Sequence, residues 1–465
     1  MINPAAKYPD PRFVWTLFGL AALSFAITLG LPYIGEEGVY TNTAIEMNLR
    51  GDFFVNTLYG TNYGRPPLLN WLIIVLSELL GWERVLVASR LVAAGATVAT
   101  GLVLAWLIAA LTRDRRFAAF AALVYLTGDA LIYHGWLAYS DPLFAFFIFS
   151  ALACLWVAIV RRTAALLWTA MAAISCAALT KAPTAYIFYL GTLFVFCWQR
   201  EARAFLLRPG AIIPHLAAVV LFFVWHNWLT GGVQVRTEFD VVLEKLRHAE
   251  LGAYLNQLWQ FPLETALRFL PASGLAVWFW WRRSGAQLEA TGFPFAVCAW
   301  IALLNYLPYW LGPNTGIRYV MPLYPLCAAL IADKLWRQAE ARRRLVIRWL
   351  IAAIAFKYVI GLWAFPAYQH SFRGDYSRVA ADIDVLTSGF PLYTTDVSAT
   401  GLSVAAHINT RRYPAKPLQW PPARWDAGFV IAYTQDPALG QVLEKYRLGR
   451  DDLYLLCRGA ACDIR

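Results

Sequence analysis

The stretch that decides the interpretation of this chain is GEEGVYTNTAIEMNLRGDFFVNTLYGTNYGRPPLLNW, from Gly35 to Trp71. It follows the first long apolar segment and begins with two adjacent carboxylates, Glu36 and Glu37. An arginine and two prolines, Arg65-Pro66-Pro67, come just before the next apolar run. Charged side chains beside apolar segments need water or a partner. The surroundings of this stretch therefore have to be read from the rest of the sequence.

The composition is that of a polytopic α-helical membrane protein. The 465 residues are 59% hydrophobic and only 15% charged, whereas soluble domains carry about 25% charged residues. The 21 Trp and 23 Tyr suit membrane interfaces. The net charge of +11 is explained by the Lys and Arg that collect in cytoplasmic loops, so it gives no indication of nucleic-acid binding.

Eleven apolar segments approach the roughly 20 residues that a helix needs to cross the hydrocarbon core. The run 67–81 is shorter, and we interpret it as a helix at the membrane interface. The first segment lacks a small-residue cleavage site, which indicates a retained helix rather than a signal peptide. The predicted spans are 13–32, 86–111, 117–134, 142–160, 164–180, 183–198, 211–230, 262–281, 293–311, 319–335 and 345–366.

Basic clusters fall in every second loop, and this alternation sets the predicted orientation. The positive-inside rule places these loops and the N-terminus in the cytoplasm. The first loop, 33–85, and the tail, 367–465, then face outside. The clusters are Arg113/Arg115/Arg116, Arg161/Arg162, Arg200/Arg203/Arg208, Arg282/Arg283 and Lys334/Arg337/Arg342/Arg343/Arg344.

The tail is more polar than residues 1–366, which we predict to form one transmembrane domain. The tail segments FPLYTTD, DAGFVIAYT, ALGQVLEKY and DLYLLC are typical of short strands and helices, so 367–465 is predicted to be a small α/β domain. Cys457 and Cys462 lie in this tail, where an oxidising compartment would permit a disulfide. Two cysteines alone leave paired and free thiols as equal alternatives.

Within the first loop, Val39, Tyr40, Ala44 and Met47 recur at helical spacing. They predict an amphipathic helix with one face suited to the membrane interface, ended by a C-cap glycine at Gly51. The acidic pair then lies at the helix N-terminus, where the helix dipole favours an ionised carboxylate that can accept a proton or a metal ion. Taken alone, the two acids are better explained as ordinary first-turn residues than as functional groups.

Further polar residues lie at the same predicted outer edge. Lys181 and Arg318 run against the positive-inside bias and therefore need a specific partner. A lipid phosphate suits them, because Lys and Arg bind phosphate through charge-assisted hydrogen bonds. Asp141 is also explained as a helix cap before a proline, Arg65 as a residue that reaches the lipid headgroups, and His134 as an interfacial histidine.

This constellation resembles the GT-C glycosyltransferases that use polyprenyl-phosphate sugars, especially the bacterial aminoarabinose transferases of lipid A and relatives of protein O-mannosyltransferases. The family's D-E-x-x-Y element corresponds to Glu36-Glu37-Gly38-Val39-Tyr40. The chain departs from the family at Glu36, where Asp is usual, at Arg65, where Lys or His is common, and at Gly64, where aminoarabinose transferases often carry an acid. The other matching elements are Arg50-Gly51-Asp52-Phe53, Arg65-Pro66-Pro67-Leu68 ahead of Trp71-Leu72, Ser140-Asp141-Pro142-Leu143, Leu179-Thr180-Lys181-Ala182-Pro183, and Arg318-Tyr319 ahead of Pro322-Leu323-Tyr324-Pro325.

The resemblance implies a GT-C fold in a bacterial inner membrane with a periplasmic active site. The implied reaction moves a sugar from an undecaprenyl-type phosphate donor to a hydroxyl of lipopolysaccharide, another envelope glycan or a protein, by direct inverting displacement. A divalent metal ion is left open, with no ligands assigned. The implied roles are general base for Glu36, with Glu37 as second candidate; donor-phosphate binding for Arg65, Lys181 and Arg318; and donor-sugar or acceptor positioning for Asp141, Tyr40, His134 and Tyr319.

The alternative is a multi-pass transporter or flippase of an envelope lipid or glycan. Transporters tend to carry charge near the membrane midplane and are often built from two related halves. In this sequence the notable charges lie at one predicted edge, and no internal repeat is visible. The pattern therefore favours the transferase.

Overall fold

The structure, a computed structural model, describes residues 9–181, 183–224, 251–282, 291–313 and 315–463. Helices form within the predicted apolar segments, and those at 86–111, 142–160 and 164–180 agree with the predicted bounds within two residues. They are α1 (Pro11–Leu23), α2 (Phe25–Leu29), α3 (Glu37–Arg50), α4 (Leu68–Leu80), α5 (Val85–Thr112), α6 (Arg115–Leu126), α7 (Ser140–Arg161), α8 (Ala165–Thr180), α9 (Ala185–Cys197), α10 (Arg200–Leu206), α11 (Pro209–Val224), α12 (Leu251–Leu267), α13 (Ala272–Trp281), α14 (Phe295–Trp310), α15 (Tyr324–Trp336), α16 (Glu340–Val359), α17 (Phe365–Tyr368), α18 (Tyr376–Leu386) and α19 (Ala399–Arg412). The end of the predicted span 211–230 and most of the loop 231–261 lie outside the described residues.

The predicted count of eleven membrane spans is not confirmed. In the described part of the chain, four helical segments are long and apolar enough to cross a membrane: Pro11–Leu29, Trp82–Thr112, Ser140–Arg161 and Glu340–Arg373. The bent pair α10 and α11 would add a fifth. Other predicted spans contain breaks; the run 262–281, for example, is divided between α12 and α13 by Pro271. The membrane-type helical architecture is confirmed, whereas the count of eleven is not.

Two compact units divide the chain. The first, here called the helical unit, comprises residues 1–25, 93–136 and 140–358. Its α7 and α8 are joined by a short connection and pack along each other, which makes them antiparallel neighbours. The N-terminus of α7 and the C-terminus of α8 therefore lie at the same end of this helix pair, as does the turn that leads from α6 into α7.

The second, here called the mixed unit, comprises residues 26–92, 137–139 and 359–465. Its main sheet has the order β3-β4-β6-β5, with β3 parallel to β4 and the other pairs antiparallel. The small α/β region predicted for the tail is thus present, and the tail shares one compact unit with the first loop. Cys457 and Cys462 form a disulfide. The strands are β3 (Leu392–Thr394), β4 (Gly428–Ala432), β5 (Gln441–Leu448) and β6 (Asp451–Arg458), with a separate hairpin of β1 (Thr57–Leu58) and β2 (Thr61–Asn62).

Helix α3 forms where predicted, but its apolar face is in the protein core. Val39, Ala44 and Met47 are buried, and α3 packs against α19 of the tail. The two helix backbones approach each other closely at Gly38 of α3, where an added Cβ would lie 2.5 Å from the carbonyl oxygen of Leu402 in α19. The interpretation of this face as membrane-facing is therefore wrong, because apolar periodicity marks a buried face without saying what covers it.

Helix α4 has a different surface. Val75 and Leu79 are 57% and 76% exposed on it. Such an unpaired apolar face is compatible with the predicted position at the membrane interface. That position stays a prediction.

Candidate active site

Gly51 ends α3 as the sequence predicts. Its φ is +67°, in the left-handed region that favours glycine, and its N–H contacts the carbonyls of Met47 and Asn48 at 3.1 and 3.2 Å. At the other end, Glu36 is the N-cap residue and Glu37 is the first residue of the helix. The acidic pair therefore lies at the positive end of the helix dipole.

The two carboxylates have opposite environments. Glu36 is exposed, and its backbone N–H donates to the Tyr139 hydroxyl at 3.1 Å. Glu37 is 0% exposed, and both of its oxygens accept hydrogen bonds from neighbouring groups. The backbone N–H groups of Ile34 and Ala138 each donate to it at 2.8 Å.

The strongest partner of Glu37 is Arg90, near the start of α5. The Arg90 Nε donates to Oε1 at 2.9 Å and Nη2 donates to Oε2 at 2.5 Å. Both side chains are 0% exposed, and such bidentate contacts are among the strongest hydrogen bonds in proteins. The same guanidinium also donates to the backbone carbonyls of Thr28, Leu29, Leu31 and Pro32.

This pair fixes the backbone that leads into α3. One guanidinium satisfies four carbonyls of the segment 28–32, and one carboxylate satisfies two amides. Because the Glu37 oxygens are occupied in a buried ion pair, Glu37 is poorly placed to take up a proton. The geometry favours Glu36 as the proton acceptor of the acidic pair.

Arg65 and Tyr40, also predicted site residues, belong to the same unit as Glu36. The Arg65 side chain is exposed, and its backbone carbonyl accepts from the Asn56 amide at 2.9 Å. The Tyr40 ring lies 6.1 Å from the ring of Tyr139. Tyr139 thus contacts both Tyr40 and the backbone of Glu36.

In the helical unit, three predicted site residues come together. The Lys181 Nζ lies 2.5 Å from Asp141 Oδ1, and the side chains are 12% and 7% exposed. The same ammonium lies 4.5 Å from the centre of the Tyr319 ring, in the geometry of a cation–π contact. Asp141 therefore pairs with a lysine that follows it by 40 residues, in addition to lying in the first turn of α7. Arg318 is half-buried and lies in the same 3-10 turn as Tyr319, Ile317–Leu323.

His134 ends the π-helical turn Ala130–His134. Its Nδ1 lies 2.7 Å from Asp129 Oδ2. The other oxygen of Asp129 accepts from Arg268 Nη1 at 2.8 Å. His134 is therefore held by a carboxylate that is itself held by a guanidinium.

Arg90, Asp129 and Arg268 were missed by sequence reasoning. Each had a detectable signal: Arg90 interrupts the apolar run VLVASRLVAAG, and Asp129 and Arg268 lie inside or beside predicted spans. A charged side chain in an apolar segment needs a partner and marks a candidate functional position. The partners themselves were not readable, because they are distant in sequence.

The described residues contain no group of three or more His, Cys, Asp or Glu side chains placed to hold a metal ion. Ala182 of the Lys181 element lies outside the described residues.

Residues 36–240 match the family of dolichyl-phosphate-mannose-protein mannosyltransferases. Among curated relatives, an undecaprenyl phosphate-alpha-4-amino-4-deoxy-L-arabinose arabinosyl transferase of Pseudomonas aeruginosa is 32% identical over 56% of this chain and 48% of its own length. One of Pseudomonas paraeruginosa is 30% identical over 57% of this chain and 49% of its own length. The chain thus spans about half the length of these relatives.

The fold is similar to that of ArnT from Cupriavidus metallidurans, solved bound to undecaprenyl phosphate. The TM-score is 0.69 at 15% identity, over 98% of this chain and 99% of that chain. The archaeal oligosaccharyltransferase AglB from Archaeoglobus fulgidus has a similar fold, with a TM-score of 0.51 at 14% identity over 85% of this chain and 64% of that chain. The predicted GT-C fold is confirmed, and none of these matches supports a transporter.

Proposed function

We propose that this chain, a membrane protein with the GT-C fold, is a glycosyltransferase that moves a sugar from a polyprenyl-phosphate donor to an acceptor hydroxyl. The match to the mannosyltransferase family begins at Glu36, the first acid of the predicted site. The relatives named above use an undecaprenyl-phosphate sugar, which supports a donor of the same class here. The proposed acceptor is lipopolysaccharide, another envelope glycan or a protein.

The observation that carries the proposal is the Arg90–Glu37 pair, which holds the start of α3 and leaves Glu36 exposed. An alcohol is a weak nucleophile, so a carboxylate has to take its proton as it attacks the anomeric carbon. Glu36 takes this role, and Glu37 positions it through the helix start. Attack opposite to the departing phosphate inverts the anomeric configuration.

The leaving group is a polyprenyl phosphate whose charge rises as the sugar–oxygen bond breaks. Fixed cations stabilise such developing charge in a site from which water is excluded. Lys181 is held for this purpose by Asp141 and by the Tyr319 ring. Arg65 and Arg318 are the further cations proposed to bind the phosphate, while Tyr40, Tyr319 and His134 position the sugar or the acceptor.

We place the protein in a bacterial inner membrane with a cytoplasmic N-terminus and a periplasmic site and tail. The alternating basic loops support this orientation. The disulfide between Cys457 and Cys462 also supports it, since disulfides persist in oxidising compartments.

The test is mass spectrometry of envelope glycolipids and glycoproteins from cells that lack the protein, complemented with wild type, Glu36→Gln or Glu83→Gln. Glu83 is the matched control because it is an exposed carboxylate of the same unit, on the 3-10 turn Trp82–Arg84. We expect one glycan species to lose a single sugar mass and to be restored by wild type and Glu83→Gln.

Glu36→Gln should reduce the rate of sugar transfer about 10²–10⁴-fold, which is the usual contribution of a general base, and the species should therefore not be restored to the wild-type amount. If no species changes in the deletion strain, the transferase proposal fails. If Glu36→Gln restores the species fully, the transferase stands and the base assignment fails.

A further inference from the structure

Two side chains of the helical unit that have no role in the proposed function, Asp129 and Arg268, form a cluster with His134. The backbone N–H of Asp129 donates to the carbonyl of Arg268 at 2.7 Å, and Arg268 Nη2 donates to Glu264 at 2.6 Å. The Asp129, His134 and Arg268 side chains are 7%, 15% and 21% exposed. The cluster is a built network, largely shielded from water.

The contacts assign the proton on the His134 ring. Asp129 can only accept a hydrogen bond, so the 2.7 Å contact requires a proton on Nδ1. A protonated Nδ1 cannot also accept from Arg268 Nη1, so that 3.0 Å approach is a contact and not a second hydrogen bond. In the described part of the chain, Nε2 has no hydrogen-bond partner.

The groups that face His134 fix its orientation and balance its charge. Asp129 and Arg268 contact the ring nitrogen directly, and the Tyr133 ring packs at 4.8 Å. Glu264 contacts Arg268, and Tyr324 is close enough to both Asp129 and Arg268 to interact electrostatically. The ring nitrogen therefore lies between a carboxylate and a guanidinium of opposite charge.

His134 lies in the connection that leads from α6 to the N-terminal end of α7, the end at which Asp141 pairs with Lys181. Under the proposed function, which this inference deepens, that end receives the donor phosphate. Imidazoles exchange protons between about pH 5 and 8, and a phosphate monoester has its second ionisation near pH 6. An imidazole and a phosphate monoester are therefore, as chemical classes, a suitable donor and acceptor for proton transfer.

We propose that His134, oriented by Asp129 and Arg268, donates a proton from Nε2 to the phosphate that leaves the donor. The acceptor oxygen forms its bond to the anomeric carbon while the bond from that carbon to the phosphate oxygen breaks. The acceptor proton goes to Glu36, and the Nε2 proton goes to the departing phosphate, leaving neutral imidazole. Solvent then removes the proton from Glu36 and returns one to His134, so a turnover consumes and releases no net proton.

The test is equilibrium binding of undecaprenyl phosphate to the purified full-length protein between about pH 5.5 and 8.5. Wild type is compared with His134→Gln, Asp129→Asn and the control His215→Gln. His215 is a histidine of the same unit whose nitrogens are occupied by Tyr189 and the Ala211 carbonyl. Size-exclusion profiles and thermal unfolding confirm that each variant is folded.

We expect wild type to bind about tenfold more tightly than His134→Gln at pH 5.5 and about equally at pH 8.5, since the extra hydrogen bond exists only with a protonated ring. Asp129→Asn should bind more weakly than wild type at pH 5.5, with a smaller gain in affinity between pH 8.5 and pH 5.5. His215→Gln should bind like wild type across the whole range. A constant affinity ratio between wild type and His134→Gln across this range would overturn the inference alone. Absence of undecaprenyl phosphate binding by wild type at every pH would overturn the proposed donor and this inference together.

Discussion

Replacing Arg90 with methionine should release the start of α3. Methionine keeps much of the apolar volume but removes the donors to Glu37 and to four backbone carbonyls. Glu37 is 0% exposed, so its charge is left buried and unpaired. Removing one partner of a buried ion pair costs about 3–5 kcal/mol.

Hydrogen exchange measures this cost locally. The amides of Ile34 and Ala138 donate to the Glu37 carboxylate, so they exchange only when this segment opens. A loss of about 3 kcal/mol corresponds to exchange roughly a hundredfold faster, since 1.4 kcal/mol is a factor of ten. We expect this acceleration in Arg90→Met, together with loss of sugar transfer.

Two further variants make the prediction specific. Arg84→Met removes a 64% exposed arginine that pairs with Glu83 at 3.8 Å. It should change the exchange rates of the Ile34 and Ala138 amides little, because surface ion pairs contribute about 0–1 kcal/mol. The double variant Arg90→Met/Glu37→Gln removes both charges, so it should be less destabilised than the sum of the two single variants. Unchanged protection of both amides in Arg90→Met would refute the reasoning.

Other predictions concern the remaining pairs and the tail. Lys181→Met should weaken undecaprenyl phosphate binding about tenfold or more, because the lysine supplies a charge-assisted hydrogen bond to phosphate. Asp141→Asn should weaken binding less, because Asp141 supplies no such bond. Isothermal titration calorimetry measures both affinities. Burial lowers the pKa of His407 from 6.5 to about 4. Between pH 6.5 and pH 4, His407 is therefore protonated in the unfolded chain but not in the folded one. The free energy of unfolding of the tail should fall by up to about 3 kcal/mol as the pH drops through this range. Thermal unfolding should show this slope in wild type and not in His407→Gln. Reducing the Cys457–Cys462 disulfide should lower the free energy of unfolding of the tail by about 2 kcal/mol, because the loop that it closes is short. The measurement is the unfolding temperature, which should be lower in the reduced protein.

The helix positions were largely readable from the sequence. The predicted spans 142–160 and 164–180 correspond to α7 and α8, which run over 140–161 and 165–180. Each is an apolar run bounded by charged or polar residues, and hydropathy summed over such a window identifies it. The start and end of α3 were equally readable, because the acidic pair and Gly51 act within one turn of their own helix.

The number of continuous spans was not readable from the same pattern. A break such as the one between α12 and α13 changes the backbone over a few residues without changing the mean hydropathy of the window. The partner of an apolar face was also not readable, and α3 is the example: its Ala44 and Met47 are buried against protein rather than lipid. Hydropathy records the preference of a side chain for leaving water and not the surface that replaces water.

The sequence by itself determined the membrane class, the positions of most helices and the acidic, basic and tyrosine elements of the candidate site. Only the tertiary structure decided that Glu37 pairs with Arg90 and that Glu36 is exposed, and it joined His134 to Asp129 and Arg268. The physical reason is distance along the chain. Helix formation and capping depend on neighbours within a few residues, whereas a buried charge pairs with whichever opposite charge the fold brings within about 3 Å of it.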